Sequence, residues 1–304
     1  MIGLSKSNLY DYFSTASSKD SATAAGKKLF DFIDRESKTL VITIGDSWTW
    51  GADLTQKKIA GAHLDRLVDD SYRIENVYGN VLAKKLNADF LNLGEPGSGN
   101  WHIDRKLKEL SRIQDQLNYK NIIVIGIFTD TGRDFNSHCD IEVNYRSWLL
   151  EHIKHHTDYY NFLKFINSQI SQSIFDVIAD FDQRYQWVFS TNFVDPIGFD
   201  ILQPWILDRT WLQVICDKKQ IAYRPKKCYM VFPWVIEKLE SVFDMAPELD
   251  RTEWLEWIND ITRDANLRAK VCFRDNINFG PLLHPSASNH ACWAEYLYEK
   301  ITNE

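Results

Sequence analysis

Two apolar runs constrain what this chain can fold into more than any other feature. Thr39–Gly45 reads TLVITIG and Asn121–Phe128 reads NIIVIGIF. A strand with one wet face alternates apolar and polar residues. A strand that stays apolar at odd and even positions is buried on both faces, and such strands belong to parallel sheets covered by helices on either side.

The segments between and after these runs alternate in type. Residues 77–86 (VYGNVLAKKL) carry apolar side chains at helical spacing, 88–94 (ADFLNLG) read as a strand, and 101–117 (WHIDRKLKELSRIQDQL) read as a helix. A long helical region spans about 141–182, and 186–193 (QWVFSTNF) is a fourth strand. The C-terminal SASNHACWAEYLYEKI is an amphipathic helix opened by the serines after Pro285. Strand, helix, strand, helix, strand is the pattern of crossover connections, so the expected fold is a three-layer α/β/α sandwich on a mostly parallel sheet of about five strands. Residues 1–38 are a polar lead-in with a helix around 23–33, and 39–304 form the α/β/α domain. From about 134 to 274 the chain carries an aromatic-rich insertion, with 228–236 (CYMVFPWVI) as a candidate strand; it elaborates the one domain or forms a small subdomain.

Composition narrows the function classes. A net charge of −7 over 304 residues opposes a protein that tracks a nucleic-acid backbone, which needs a basic face to displace counterions. A neutral or sugar-like partner suits it better. The longest apolar runs fall well short of the ~18 residues a membrane span needs. The first thirty residues lack the apolar core of a signal peptide, so synthesis in the cytoplasm is expected. The five cysteines, Cys139, Cys216, Cys228, Cys272 and Cys292, form no C-x-x-C pair and read as small buried hydrophobes.

In open α/β sheets the ligand site lies at the carboxyl ends of the strands. Those ends read GDSWTWG (45–51), NLGEPGSGN (92–100) and IFTDTGR (127–133), and the loop before the last helix reads LLHPSASNH (282–290). Ester hydrolysis needs a hydroxyl nucleophile, a base for its proton, and donors aimed at the oxyanion. Ser47 supplies the first and His284 the second. The glycine-rich second loop offers unobstructed backbone N–H groups.

In order and placement these blocks resemble the SGNH (GDSL-like) hydrolase superfamily, over roughly residues 39–133 and 280–303. The resemblance implies Ser47 as nucleophile with its own N–H in the oxyanion hole, Gly97 as a second oxyanion donor, and His284 as the base. It implies a serine esterase that needs no metal or organic cofactor. Within the superfamily the motifs look most similar to divergent proteins encoded by tailed bacteriophages. That implies an ester or acylated carbohydrate substrate, for instance an acetylated surface polysaccharide, and a place among other virion proteins.

Two positions depart from the family pattern. Thr129 stands where the family has an asparagine oxyanion donor, so the third donor is the Thr129 hydroxyl or the Asn100 amide. Pro281 stands where the family has the acid three residues before the histidine, which leaves Asp275 or a backbone carbonyl to orient His284. A Ser-His dyad is chemically feasible, because the third member chiefly fixes the tautomer and stabilises the imidazolium. These same departures motivate the rival reading, a non-catalytic SGNH-like structural or glycan-binding virion protein.

The remaining candidates have plain structural readings beside the functional ones. Asp46 is expected to hold the first loop, as Asp and Ser do in turns and helix caps. Trp48 and Trp50 either line a substrate pocket or pack in the core. Arg133 either binds a substrate anion or pairs with Asp130 or Asp134. His290 reads as a packing or capping residue in preference to a second base. The cluster His152, His155 and His156 has a spacing that can hold a metal, yet with no completing ligand it reads as a solvated helix face. Trp187, Trp205, Trp211, Trp234, Trp254 and Trp257 form either a sugar-stacking platform or core.

Overall fold

The computed structural model describes residues 30–52, 54, 70–129, 156–192, 197–218, 220 and 284–303. Its elements in chain order are β1 (Asp31–Ile33), β2 (Thr39–Gly45), α1 (Ser47–Trp50), α2 (Asp70–Asn76), α3 (Tyr78–Lys85), β3 (Asp89–Asn92), α4 (Trp101–Ser111) and β4 (Asn121–Phe128). They continue with α5 (His156–Ile178), β5 (Tyr185–Thr191), α6 (Trp211–Lys218) and α7 (Ala287–Thr302). The sheet order is β1-β3-β2-β4-β5, with every neighbouring pair parallel except β1 with β3.

The two apolar runs occupy the middle of this sheet, side by side, from Thr39 opposite Asn121 to Gly45 opposite Ile127. Their side chains divide between two cores because successive residues of a strand point to opposite faces. Leu40, Ile42, Ile44, Ile122, Val124 and Phe128 face one core, under α4 and α5. Val41, Ile123, Ile125 and Ile127 face the other, under α3, α6 and α7. Helix spacing matches: Ile166, Ile170, Ile174 and Ile178 recur every fourth residue along α5 at 0–5% exposure, each contributing ~1.5–3 kcal/mol over an exposed placement. The α/β/α sandwich expected from the alternation of elements is therefore the fold observed.

Two expectations change. The end of the expected helix at 23–33 is a strand: Asp31–Ile33 pairs antiparallel with β3. Tertiary pairing outweighs helical periodicity here, because the outer backbone groups of β3 need partners and Asp31 is drawn in by Arg73, which donates to both of its oxygens at 2.7 Å. The helix expected over 101–117 ends at Ser111. Beyond it the chain tightens into three-residue bonds, Ile113 N–H to Leu110 O and Gln116 N–H to Ile113 O, which turn Ile113 and Leu117 into the core. The candidate strand at 228–236 lies outside the described residues. No helix among the described residues is long and apolar enough to cross a membrane.

Candidate active site

The chain leaves β2 at Gly45 and turns into the single helical turn α1. Asp46 makes the turn: its backbone is extended (φ −89°, ψ −156°) and its carboxylate accepts the Trp48 N–H at 2.9 Å, an N-cap on the first turn. Gly51 closes α1 in the left-handed region, φ 84°, with its N–H on the Ser47 and Trp48 carbonyls. Ser47 is thereby the first helical residue, 5% exposed, at the carboxyl end of the central strand. A cleft of about 390 Å³ opens at the other end of the sheet, beside Thr39, Asn121 and Tyr185, and contains none of the groups considered below.

The His284 imidazole reaches Ser47 from 237 residues away, with Nε2 2.9 Å from Oγ. His284 and Pro285 lead into α7, whose N-cap is Ser286, so this imidazole is carried on the entry to a helix packed in the core. If Ser47 donates to Nε2, the imidazole proton lies on Nδ1.

The second loop is drawn against α1. The Glu95 N–H and the Ser98 hydroxyl both donate to Gly45 O, at 2.9 and 3.2 Å. Gly94 is required by closeness: a Cβ there would lie 2.6 Å from the Trp50 nitrogen. Gly97 is required by conformation, with φ 84° and open space where a Cβ would stand. Among the described residues, the N–H groups of Ser47 and Gly97 have no hydrogen-bond partner. Buried His102 props this loop from α4, donating Nε2–H to Leu93 O at 2.8 Å and accepting Arg105 at Nδ1. Burial drives its pKa down to about 3, so the 3.3 Å approach of Glu95 to Nδ1 is no ion pair; Arg105 stands on both groups.

Thr129 and Asn100 are placed differently from the expectation. The Thr129 hydroxyl donates to Asp46 Oδ2 at 2.9 Å. Its single proton is used there, which corrects its assignment as an oxyanion donor. Asn100 is clamped to the Thr129 backbone, accepting its N–H at 2.8 Å and donating to its carbonyl at 3.0 Å. Its amide holds the second loop to the end of β4 as a strand partner would.

Trp48 and Trp50 are 2% and 7% exposed, and the contacts they make among the described residues are packing contacts. Trp48 meets Trp211 edge-on at 5.3 Å, and Arg73 lies 4.0 Å over the Trp50 ring while donating to the Trp50 carbonyl at 2.9 Å. Trp211 is core as well, stacked on Trp293 at 5.7 Å. Trp187 and Trp205 are half-buried against the opposite core. His290 is fully buried and accepts the Tyr78 N–H at Nδ1, 3.1 Å away. Burial first, and then the nearby His284, lower its pKa to about 3, so its acceptor nitrogen is occupied by packing. Cys216 and Cys292 are buried in the core. Asp130, Arg133, Asp275, Pro281, Trp234, Trp254, Trp257 and the side chains of the 152–156 histidine cluster lie outside the described residues, as do Cys139, Cys228 and Cys272. Among the described residues no group of three or more His, Cys, Asp or Glu is placed to hold a metal ion.

One residue was missed. Asn192, just past β5, donates from Nδ2 to Asp46 Oδ2 and to Thr129 Oγ1, both at 3.1 Å. The rule that strand carboxyl ends carry the site, applied to STN at 190–192 as to the other strands, points to it.

No protein-family model matches the chain, and comparison with curated proteins finds no match. Solved structures are similar at low identity. A member of the lipolytic protein G-D-S-L family from Veillonella parvula is 10% identical, with 88% of this chain and 100% of that one covered, at a TM-score of 0.37. An acetyl xylan esterase from the rumen bacterium Butyrivibrio proteoclasticus is 14% identical, covering 88% and 64%, at 0.40. A lipase from a goat rumen metagenome is 15% identical, covering 86% and 96%, at 0.36. Likeness at these scores carries no inference about chemistry, so any reaction has to be read from this chain's own side chains.

Proposed function

We propose that this chain is a serine acylhydrolase acting on carboxylic esters through Ser47 and His284. The observation that supports it most is the 2.9 Å approach of His284 Nε2 to Ser47 Oγ, made at a strand's carboxyl end between residues 237 apart in sequence. His284 takes the hydroxyl proton as Oγ attacks the ester carbonyl carbon, then delivers it to the departing alkoxide. Water, deprotonated by the same nitrogen, attacks the acyl-serine and releases the acid. The Ser47 and Gly97 N–H groups, free of protein partners among the described residues, hold the oxyanion, and each such donor is worth ~3–4 kcal/mol of barrier. An acylated carbohydrate, with acetate as the acyl group, is the substrate class implied by the SGNH resemblance, and the phage-like look of the motifs is what supports a role among virion components.

A second reading, a non-catalytic SGNH-like structural or glycan-binding protein, is favoured by one observation: Thr129 turns its proton to Asp46, leaving two backbone donors in place of three. Hydrolysis of p-nitrophenyl acetate separates the readings. Turnover above the Ser47→Ala background supports the enzyme. Turnover equal to that background, with short-chain and sugar acetates alike, supports the binding protein.

A further inference from the structure

Asn192 belongs to none of the motif blocks, yet it reaches the residue that precedes the nucleophile. Its Nδ2 donates to Asp46 Oδ2 and Thr129 Oγ1, and the Thr129 hydroxyl donates to the same Asp46 oxygen. The three side chains form a closed ring at 0–2% exposure. The Asn192 backbone is itself pinned, its N–H on Phe128 O at 3.0 Å and its carbonyl accepting Leu212 N–H at 2.8 Å. The ring is thus carried by the junction of β4, β5 and α6.

An amide nitrogen offers two hydrogens in a fixed plane. Asp46 Oδ2 and Thr129 Oγ1 are 2.9 Å apart and each 3.1 Å from Nδ2, too close together for the two diverging hydrogens to take one each. One N–H is therefore shared between them, and since a carboxylate only accepts, the Thr129 proton faces Asp46. The second Asp46 oxygen holds the Trp48 N–H at 2.9 Å. A carboxylate held at both oxygens does not rotate, and Ser47 lies between Asp46 and Trp48. We propose that Asn192 is a positioning residue for the nucleophile: through Thr129 and Asp46 it fixes the first turn of α1 so that Ser47 Oγ stays within reach of His284. The proposal rests on the acylhydrolase reading. Asn192 acts through Asp46 and Thr129, the side chains it hydrogen-bonds, and takes no part in the proton transfer.

A purely stabilising ring would lower the melting temperature and leave the folded protein's reactivity alone. The test therefore measures covalent labelling of Ser47 by a fluorophosphonate, as maximal rate and half-saturating concentration, at a temperature where circular dichroism shows each variant folded. Asn192→Ala and Thr129→Val should each slow the maximal rate about 10- to 100-fold while half-saturation moves less than about twofold, since a misplaced nucleophile costs rate and not binding. The double variant should be no slower than the slower single, because both act on one oxygen. Thr129→Ser, which keeps the hydroxyl, should label at the wild-type rate and holds the test open if Asn192→Ala does not fold. Labelling of the folded Asn192 and Thr129→Val variants at the wild-type rate overturns the proposal and leaves the acylhydrolase reading standing. A wild-type protein that does not label removes that reading and this inference with it.

Discussion

The Thr129 hydroxyl, standing where the SGNH resemblance implies an oxyanion donor, lies 2.9 Å from Asp46 Oδ2 and donates its proton there. A position that faces the substrate in the family pattern here faces Asp46, the N-cap of the helix that Ser47 opens. Thr129→Val removes one donor from the buried Asp46 carboxylate while Asn192 Nδ2 stays on the same oxygen, so it should cost ~1.5–3 kcal/mol, the usual worth of a hydrogen bond to a charged group. Thr129→Ser should cost less than half of that. Chemical denaturation measures both, and a Thr129→Val protein as stable as wild type would mean the bond contributes nothing.

Gly97 separates activity from stability. Its φ of 84° makes Gly97→Ala strained by ~1–2 kcal/mol, while the open space around it spares the rest of the fold. Shifting the loop to relieve that strain moves the N–H proposed to hold the oxyanion, and loss of such a donor typically costs ~10²–10³ in turnover. The expected result is a small fall in melting temperature with a large fall in ester hydrolysis. Unchanged hydrolysis would take Gly97 out of the site.

Two buried histidines make stability depend on acid. An unfolded histidine gains a proton as pH falls through about 6.5, whereas burial keeps His102 and His290 neutral in the fold down to about 3. Between those values the unfolded chain binds more protons, so their contribution is complete above pH ~6.5 and is lost progressively as pH drops toward 3. From pH 7 to 5 each should cost ~2 kcal/mol. His290→Asn, whose Oδ1 can still accept the Tyr78 N–H, should be less stable at pH 7 but lose ~2 kcal/mol less on going to pH 5. An identical pH slope in the variant would contradict the assignment.

Arg73 and Asp31 form an ion pair at 2% and 9% side-chain exposure. Removing one partner strands a buried charge and typically costs ~3–5 kcal/mol. Arg73→Met should therefore destabilise strongly, and adding Asp31→Leu should recover much of the loss. Equal stability of the single and double variants, measured by urea denaturation, would show that the charge is not the cause.

The sandwich was legible because both central strands are apolar at odd and even positions, and only a doubly covered sheet makes that pattern favourable. The placement of Ser47 and His284 at one end of the sheet, 2.9 Å apart, was legible because each borders a strand or helix with a strong local signature. Asp31–Ile33 was not, since three residues carry no period and their strand exists only through β3 and Arg73. The roles of Thr129 and Asn100 were not legible either. Their residue types allow donation to a substrate or to the backbone, and only the distance to Asp46 and the pairing across the second loop choose between them. Asn192 lacked a motif, and its part in the ring depends on three strand ends meeting.

The most direct measurement is fluorophosphonate labelling of the whole protein, with the modified peptide identified by mass spectrometry. The account predicts one adduct, on Ser47, absent from Ser47→Ala and slowed ~10²–10⁴-fold in His284→Ala, the usual contribution of a general base. A wild-type protein that stays unlabelled, or labels at Ser47 equally fast without His284, would contradict it.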